Sequence, residues 1–241
     1  MQDPIETLTS NDDSGIRAHV YYADCPYDPR EEFDHLGRMV CWHSRYKLGD
    51  EQPRQDPAAW MAELLDEPPC PHCEGTGKLA CDSEDPDETP IECPHCDGLG
   101  RVTADDDLYE IMQKDYFVFP LYLYDHSGLA LRMAPFTCPW DSCQVGFIYI
   151  SKSKAAKEFA LHESSPQLLK AVEHCFEDEV KEYSNYLSGE VFGFVVEDEK
   201  GEVLDSCCGY YDLNFAIEEA QDALNFAVAQ DEKAREDSYV I

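Results

Sequence analysis

Two long segments of the chain place apolar residues at every third or fourth position, which is the spacing of an amphipathic helix. In residues 165–189 the apolar positions are Leu168, Leu169, Val172, Cys175, Phe176, Val180, Tyr183 and Leu187. In residues 212–230 they are Leu213, Ala216, Ile217, Ala220, Ala223, Leu224, Ala227 and Val228. Ser165 and Pro166 form a helix-start pattern, and Gly189 provides a stop signal. Each segment is predicted to form a helix that buries one face.

Shorter apolar runs between turn signals predict strands. The predicted strands cover residues 16–22, 36–46 and 144–152, together with two hairpins that turn at His126–Gly128 and at Glu199–Gly201. Short helices are predicted over residues 57–66 and 105–114. Strands and helices do not alternate strictly. This order favours an α+β fold, in which an antiparallel sheet is packed by helices.

A ten-residue unit occurs twice, as "CPHCEGTGKL" from Cys70 and as "CPHCDGLGRV" from Cys93. The cysteines form the pattern C-x2-C-x19-C-x2-C, which lies within the spacing of four-cysteine zinc sites. Each C-x2-C turn directs two thiolates at one point, and four thiolates complete a tetrahedral shell around Zn²⁺. The predicted ligands are Cys70, Cys73, Cys93 and Cys96. Because they leave no coordination position open, the single zinc ion is predicted to be structural.

The residues around these cysteines add further expectations. The glycines after each cysteine pair allow the chain to reverse tightly past the sulfurs. His72 and His95 lie inside the two turns and are predicted to point outward. Cys81 is an additional thiol, and the sequence leaves open whether it joins the site. Because Lys78 and Arg101 are the only basic residues of the segment, it is expected to contact protein and not nucleic acid.

The unit C-x2-C-x-G-x-G, matched by "CPHCEGTG" and "CPHCDGLG", resembles the cysteine-rich zinc domain of the J-domain co-chaperones. That family uses four such units for two zinc ions, whereas this chain has two units, enough for one ion. The resemblance covers residues 69–102 and implies a zinc-binding module without implying chaperone activity. We expect this module to be inserted into an α+β body formed by residues 1–68 and 103–241.

The net charge of the chain is unusual. Fifty-one acidic residues face eighteen basic ones, which gives −33 over 241 residues. The acids are spread along the chain and not gathered in one tail, so most of them are expected on folded structure. One interpretation is solubility or a high-salt habitat. The other is a surface that imitates nucleic acid and attracts basic proteins, while repelling nucleic acid and anionic membranes.

The N-terminal residues and the cysteine count bear on the cellular compartment. The segment "MQDPIETLTSNDDSG" lacks the basic start and the apolar stretch of a signal peptide. The longest strongly apolar run, residues 116–124, is too short to span a bilayer. Twelve cysteines in such a chain favour metal ligands and buried free thiols over disulfides. We expect a cytoplasmic protein that does not bind membranes.

Four longer stretches lie outside the cysteine-bearing segment: "DHLGRMVCWHSRYKLGDE" at 34–51, "FPLYLYDHSGL" at 119–129, "CPWDSCQVGFIYISK" at 138–152 and "GEVFGFVVEDEKGEVLDSCCGYY" at 189–211. Through these stretches much of the remaining chain resembles a family of uncharacterised tailed-phage proteins. The chain departs from the family pattern at Cys143, where the family has Gly, and near Cys208, where it has Trp. The resemblance implies a phage or prophage origin and carries no established activity.

One polar cluster permits an enzymatic interpretation. His126 could act as a base for Cys138 or Cys143, with Asp125 or Asp141 orienting the imidazole. The same residues suit structural roles, because Asp-His-Ser-Gly is common in hairpin turns and Cys-Pro-Trp-Asp fits a rigid corner. The substitution of cysteine for glycine at position 143 counts against a nucleophile there.

Two other cysteine positions give weaker indications of a catalytic site. Cys41 and His43 are predicted to share one face of a strand, without a visible partner. Cys207 and Cys208 are adjacent in sequence and are predicted to be structural.

The sequence therefore favours binding over catalysis. We expect an acidic phage accessory protein that binds and inhibits a host or defence protein with a basic surface, with nucleic-acid mimicry as one mechanism. The alternative is a hydrolase or transferase that uses Cys138 and His126, with Asp141 as the third residue. The identity of the target and the oligomeric state are left open.

Overall fold

The structure is a computed structural model, and it describes residues 3–10, 14–79, 90–138 and 140–238. Antiparallel sheets packed by helices confirm the predicted α+β class. The strands are β1 Glu6–Thr9, β2 Arg17–Tyr22, β3 Arg38–Cys41, β4 Lys78–Leu79, β5 Ile91–Glu92, β6 Tyr116–Asp125, β7 Leu129–Arg132, β8 Ser142–Ser151, β9 Phe192–Glu197 and β10 Val203–Tyr210. The helices are α1 Pro29–Glu32, α2 Pro57–Leu64, α3 Asp105–Asp115, α4 Lys152–Phe159, α5 Pro166–Ser188 and α6 Leu213–Ser238.

The chain divides into two compact units, and each is built from separate stretches of sequence. The first unit contains residues 1–35, 122–143 and 177–241, and the second contains residues 36–121 and 144–176. The sequence predicted one sheet, whereas the described residues form two four-stranded sheets and a two-stranded ribbon. The difference arises because strand pairing joins segments that are far apart in sequence, which local patterns do not reveal.

A sheet with the strand order β1-β2-β9-β10 organises the first unit, and α6 covers one of its faces. In the centre of this sheet Ala18 lies opposite Val196, and Val20 lies opposite Phe194. Alternate residues of a strand point to the same face, so these side chains form one apolar surface. The surface packs against the predicted stripe of α6, through Ala216, Ala220 and Leu224. The stripe therefore buries the face that its spacing predicted.

The second sheet has the strand order β3-β8-β6-β7. The core of the second unit packs α2 and α3 against β3, β8 and the first half of β6, through Val40, Trp60, Leu108, Met112, Val118 and Phe147. Gly146 of β8 lies opposite Cys41 of β3. A Cβ atom at Gly146 would collide with the carbonyl oxygen of Val40, so the close approach of the two strands requires glycine here.

The two long helices largely follow their predictions. The Leu168 amide donates to Ser165 Oγ at 3.1 Å, as expected of a helix cap. Leu169 is 43% exposed, so it does not belong to the buried stripe of α5. Helix α6 continues to Ser238, beyond the predicted end at residue 230, with polar residues in its last turns. None of the helices that the structure describes is long and apolar enough to cross a membrane.

The sequence predicted a strand that reaches residue 46, whereas strand β3 ends at Cys41. The chain turns back on β3 soon afterwards. Asp50 accepts a hydrogen bond from the Met39 amide at 2.6 Å, and the Glu51 carbonyl accepts one from the Cys41 amide at 2.9 Å. Gly49 allows this reversal with a φ of 66°. The apolar run was therefore read correctly as a strand, but its second half belongs to a loop.

Candidate metal centre

Four cysteine sulfurs come together in the second unit. Cys70, Cys73, Cys93 and Cys96 are buried, and their Sγ atoms all lie within 4.8 Å of one another. The Sγ atoms of Cys73 and Cys96 are 3.7 Å apart. A tetrahedron with metal–sulfur bonds of about 2.3 Å has edges of about 3.8 Å, whereas a disulfide requires about 2.05 Å. The four predicted ligands are therefore placed where they could hold one metal ion.

The two copies of the motif fold alike and exchange backbone hydrogen bonds. The Cys70 amide donates to the Gly100 carbonyl at 2.9 Å, and the Cys93 amide donates to the Gly77 carbonyl at the same distance. Each copy thus satisfies a backbone group of the other, and the site has approximate two-fold symmetry. This arrangement explains why the sequence carries the unit twice, since each copy supplies half of the site.

The last glycine of each motif has three roles. The Gly77 amide donates to Cys73 Sγ at 3.2 Å, and the Gly100 amide donates to Cys96 Sγ at 3.3 Å. Both glycines have a positive φ, of 73° and 75°. A Cβ atom on either would collide with a backbone carbonyl oxygen of the other copy. The tight reversal predicted from the sequence is therefore also a close contact between the two copies.

The thiols of the cluster differ in acidity. Burial opposes ionisation of Cys73, but hydrogen bonds from the Gly77 amide and the other thiols outweigh it and lower the Cys73 pKa to about 7. At Cys96 burial dominates and raises the pKa to about 11. Because the two cysteines have matching surroundings, the difference describes successive loss of protons from one cluster. Four thiolates at one point require a cation to balance their charge, and a divalent metal supplies it.

The two ends of the cysteine-bearing segment lie side by side. Pro69 and Arg101 form an antiparallel bridge, and the Val102 amide donates to the Pro68 carbonyl at 2.9 Å. On the other side of the cysteines, β4 and β5 form a short ribbon, and Leu79 of β4 packs against the cluster. Cys81 lies outside the described residues. The segment therefore leaves the rest of the second unit and returns to it at neighbouring points.

His72 and His95 are exposed, as the sequence predicted. Their rings are stacked on each other, with centroids 3.5 Å apart and an angle of 9° between the ring planes. The sequence gave no sign of this contact, which follows from the two-fold arrangement of the turns. The stack lies outside the sulfur cluster and adds a further link between the two copies.

The structure brings the three residues of the catalytic alternative together, but in an unsuitable order. The Cys138 thiol donates to Asp141 Oδ2 at 3.3 Å, and the same oxygen lies 3.8 Å from His126 Nδ1. Among the described residues no hydrogen bond joins His126 to Cys138, and the His126 side chain is 63% exposed. A base must reach the thiol to activate it. Here the carboxylate stands between the thiol and the imidazole.

The remaining catalytic candidates are separated. Asp125 belongs to the His126 hairpin, where its amide donates to the Asp141 carbonyl at 3.0 Å, and Cys143 is exposed on β8. Cys41 is buried at the end of β3. His43 lies in the following loop, where it accepts the Tyr46 amide at 3.1 Å and stacks on that ring. The prediction that Cys41 and His43 share a strand face is therefore wrong, because the strand ends between them.

The prediction of buried free thiols also needs correction. Cys207 and Cys208 are exposed, as are Cys25 and Cys143. Cys207 and Cys208 lie on β10, which is an edge strand of the first sheet in the described part of the chain. A strand at an edge has fewer neighbours to cover its side chains. The expectation of buried free thiols therefore holds for Cys41 but not for these four exposed cysteines.

Sequence reasoning missed a group of aromatic side chains around a cavity in the first unit. Phe33 follows α1, whereas Tyr210 ends β10, Tyr211 follows it and Phe215 lies in the first turn of α6. The aromatic run "GYYDLNF" from Gly209 was a local signal for three of these residues. No local pattern connects Phe33 to them, because it is distant in sequence.

No protein-family model, curated protein or solved structure matches this chain. The resemblances to tailed-phage proteins and to the zinc domain of the J-domain co-chaperones stay predictions. What the chain does is inferred from its own residues: four clustered cysteines, a strongly acidic surface and the aromatic cavity.

Proposed function

We propose that this chain is an acidic binding protein, stabilised by one structural zinc ion, whose target is a protein with a basic surface. The observation that carries the proposal is the net charge of −33 of the chain, together with acidic side chains that are exposed on both long helices. Glu173 and Glu177 are exposed on α5, and Glu218, Asp222 and Glu232 are exposed on α6. A surface of this kind steers basic partners toward it and favours complementary charge at the interface.

The donor set supports zinc as the metal. Four thiolates in tetrahedral spacing suit zinc or iron, and a complete shell is typical of a structural site. Leu79 is the apolar side chain that packs against the cysteines in the described residues, so the segment has little hydrophobic core of its own. When bound, the metal would hold the two turns together. The paired ends at Pro68–Val102 support the proposal that residues 69–102 are an inserted module.

Metal analysis tests the zinc assignment. Elemental analysis of protein purified without added metal is expected to give one zinc per chain, and replacement of Cys93 by serine is expected to reduce this amount. Replacement of the exposed Cys208 is the matched control and should leave the metal content unchanged. Iron in stoichiometric amount, with visible thiolate-to-iron absorption, would contradict the assignment.

The proposed target is a host or defence protein of a phage-infected cell, and the proposed location is the host cytoplasm. The resemblance of residues 34–51, 119–129, 138–152 and 189–211 to phage proteins supports this setting. An enzyme that binds nucleic acid is a suitable target, because its basic cleft already accommodates a polyanion. The proposed mechanism is occupation of that cleft by the carboxylates of this chain.

Salt-dependent capture tests the binding proposal. The tagged protein is mixed with host lysate at about 50 mM and about 500 mM salt, and the captured proteins are identified by mass spectrometry. We expect a nucleic-acid-binding protein to be captured at low salt and to be displaced by added duplex DNA. Capture that does not change with salt, or that DNA does not compete with, would contradict an electrostatic mechanism.

A further inference from the structure

A cavity in the first unit lies apart from the cysteine cluster and from the residues around Cys138. It has a volume of about 440 Å³ and is bounded by Phe33, by α5, by the end of β10 and by the start of α6. Cavities of roughly 300–1,000 Å³ are typical of sites for small ligands or for single anchoring side chains. Aromatic and acidic side chains line most of this cavity.

The aromatic walls are held in place by contacts around the cavity. Tyr211 donates its hydroxyl hydrogen to the Tyr27 carbonyl at 2.8 Å. Phe33 packs edge-on against Tyr211, with ring centroids 6.4 Å apart. Tyr210 and Phe215 form a similar pair, with centroids 5.7 Å apart. Edge-to-face pairs of this kind are favourable geometries for aromatic rings, so the walls are arranged before any ligand arrives.

Two of the rings are about half exposed to solvent, which is unfavourable for an apolar side chain. Phe33 and Phe215 are each 52% exposed. Exposed aromatic side chains grouped at one concave site, with polar residues around them, are characteristic of interaction surfaces. Aromatic residues of this kind are also frequent among the few residues that dominate binding energy. The grouping of the two rings at a cavity therefore points to an occupant.

The charges around the cavity indicate what the occupant is. Asp178, Glu182 and Asp212 line it, and Lys181 is the one basic residue among its described lining. The Lys181 ammonium lies 3.4 Å from the Asp212 carboxylate, and His35 Nε2 lies 3.4 Å from Glu182 Oε1, so part of this charge is already balanced. The negative field is visible at Tyr211, whose pKa is raised to about 12 by burial and then by carboxylates that include Glu182. The cavity thus combines aromatic faces with net negative charge.

We propose that this cavity receives an arginine side chain of the basic partner, with the guanidinium against the aromatic rings and paired with the carboxylates of α5. The identity of the partner as a basic protein rests on the function proposed above. Arginine suits the cavity because its planar cation stacks on aromatic faces and pairs with carboxylates through several donors. A lysine has no planar face and is more strongly hydrated, so it gains less from the rings.

The proposal is tested with small probes on the whole protein. Nuclear magnetic resonance spectra are recorded during titration with N-acetyl-arginine methylamide, its lysine analogue and its citrulline analogue, which keeps the shape of arginine without the charge. We expect arginine to shift the amide signals of residues 209–215 and 178–185, lysine to bind at least twofold more weakly, and citrulline to bind more weakly still. Equal shifts with citrulline, or no shifts in these segments, would overturn the proposal.

Substitution of the rings sharpens the test. Phe215→Leu and Phe33→Leu keep apolar bulk at half-exposed positions and remove the aromatic face. Each is expected to weaken arginine binding about threefold, since a cation on an exposed ring gains about 0.5–1 kcal/mol. Phe226→Leu is the matched control, because Phe226 is 65% exposed on α6 and does not line the cavity. An equal effect of Phe226→Leu would count against the cavity.

The probes also separate this proposal from the proposed function. If arginine binds the cavity while the lysate experiment captures nothing, the cavity proposal stands and the proposed function fails. A different outcome would reject the cavity alone. In that outcome capture is sensitive to salt, the arginine probe gives no shifts, and the Phe33→Leu, Phe215→Leu double variant captures the target normally, so the cavity does not bind the partner. That result would overturn the present proposal and leave the proposed function intact.

Discussion

A buried ion pair between α1 and α5 provides the sharpest test of what stabilises the first unit. The Arg30 guanidinium lies 3.0 Å from Glu179 Oε2, and the two side chains are only 2% and 10% exposed. Replacement of Arg30 by methionine keeps an unbranched apolar stem and removes the guanidinium that faces the buried carboxylate. The variant should therefore lose much of the stability of the unit.

The magnitude follows from the geometry of the pair. Charges about 4 Å apart attract each other by about 4 kcal/mol at an effective dielectric constant of about 20. Breaking a buried pair by removing one partner costs about 3–5 kcal/mol, because the other charge remains desolvated. Replacement of both partners by apolar residues, as in Arg30→Met with Glu179→Leu, is expected to cost less than about 2 kcal/mol.

Urea unfolding followed by circular dichroism measures these differences, and the four proteins form a double-mutant cycle. The wild type, the two single variants and the double variant are compared under the same buffer and salt conditions. We expect a coupling energy of at least about 3 kcal/mol between positions 30 and 179. If the cost of the double variant equals the sum of the single costs, or if Arg30→Met costs less than about 1 kcal/mol, the pair does not stabilise the fold as inferred.

Three further predictions concern the metal centre and a titrating histidine. Gly77→Ala is expected to weaken zinc retention, because the added Cβ would collide with the backbone of the other motif. Gly128→Ala is the control and should not weaken it, because nothing lies within 4 Å of a Cβ at that position. Competition with a chromophoric chelator measures retention, and equal retention by the two variants would refute the prediction. Apparent zinc affinity should fall as pH drops from 8 to 5, because protons compete for the thiolates, and it should fall more steeply below about 7, where Cys73 also takes up a proton. A flat profile over this range would contradict the prediction. The hydrogen bond with Glu182 raises the His35 pKa above 6.5. The stabilisation that this bond provides is therefore complete below pH 6.5 and disappears as pH rises through the raised pKa. His35→Gln should remove this part of the pH dependence of thermal unfolding, and an unchanged profile would count against the prediction.

The metal centre was the most predictable part of the molecule. Its ligands are set by short spacings, and the requirement for four sulfurs around one point leaves few alternative folds for the two turns. The glycines were also foreseen, since a positive φ is a local property. The hydrogen bonds between the two copies were not, because Cys70 and Gly100 are separated by the whole segment.

Longer-range features escaped sequence reasoning for a physical reason. Periodicity predicted which face of α6 is buried, but it does not identify the strands that cover that face. Strand β2 pairs with β9, so Ala18 lies opposite Val196 across most of the chain length. Strand β1 has the short polar sequence "ETLT" and carries no strong strand signal. The order of strands also placed Cys207 and Cys208 on an edge, where they are exposed.

Because the two cysteine turns are nearly symmetric, one molecule contains two versions of the same turn that can be compared directly. The hydroxyl of Thr76 lies 2.7 Å from the Cys73 carbonyl oxygen in the first turn, whereas the equivalent position of the second turn is Leu99, which has no hydroxyl. Hydrogen exchange at the Gly77 and Gly100 amides therefore compares two versions of one turn in the same molecule, at the same pH and the same metal occupancy. A difference in their protection reports the combined effect of Thr76, whose hydroxyl also bonds to the backbone of Lys78, and of the other differences between the copies, such as Glu74 against Asp97.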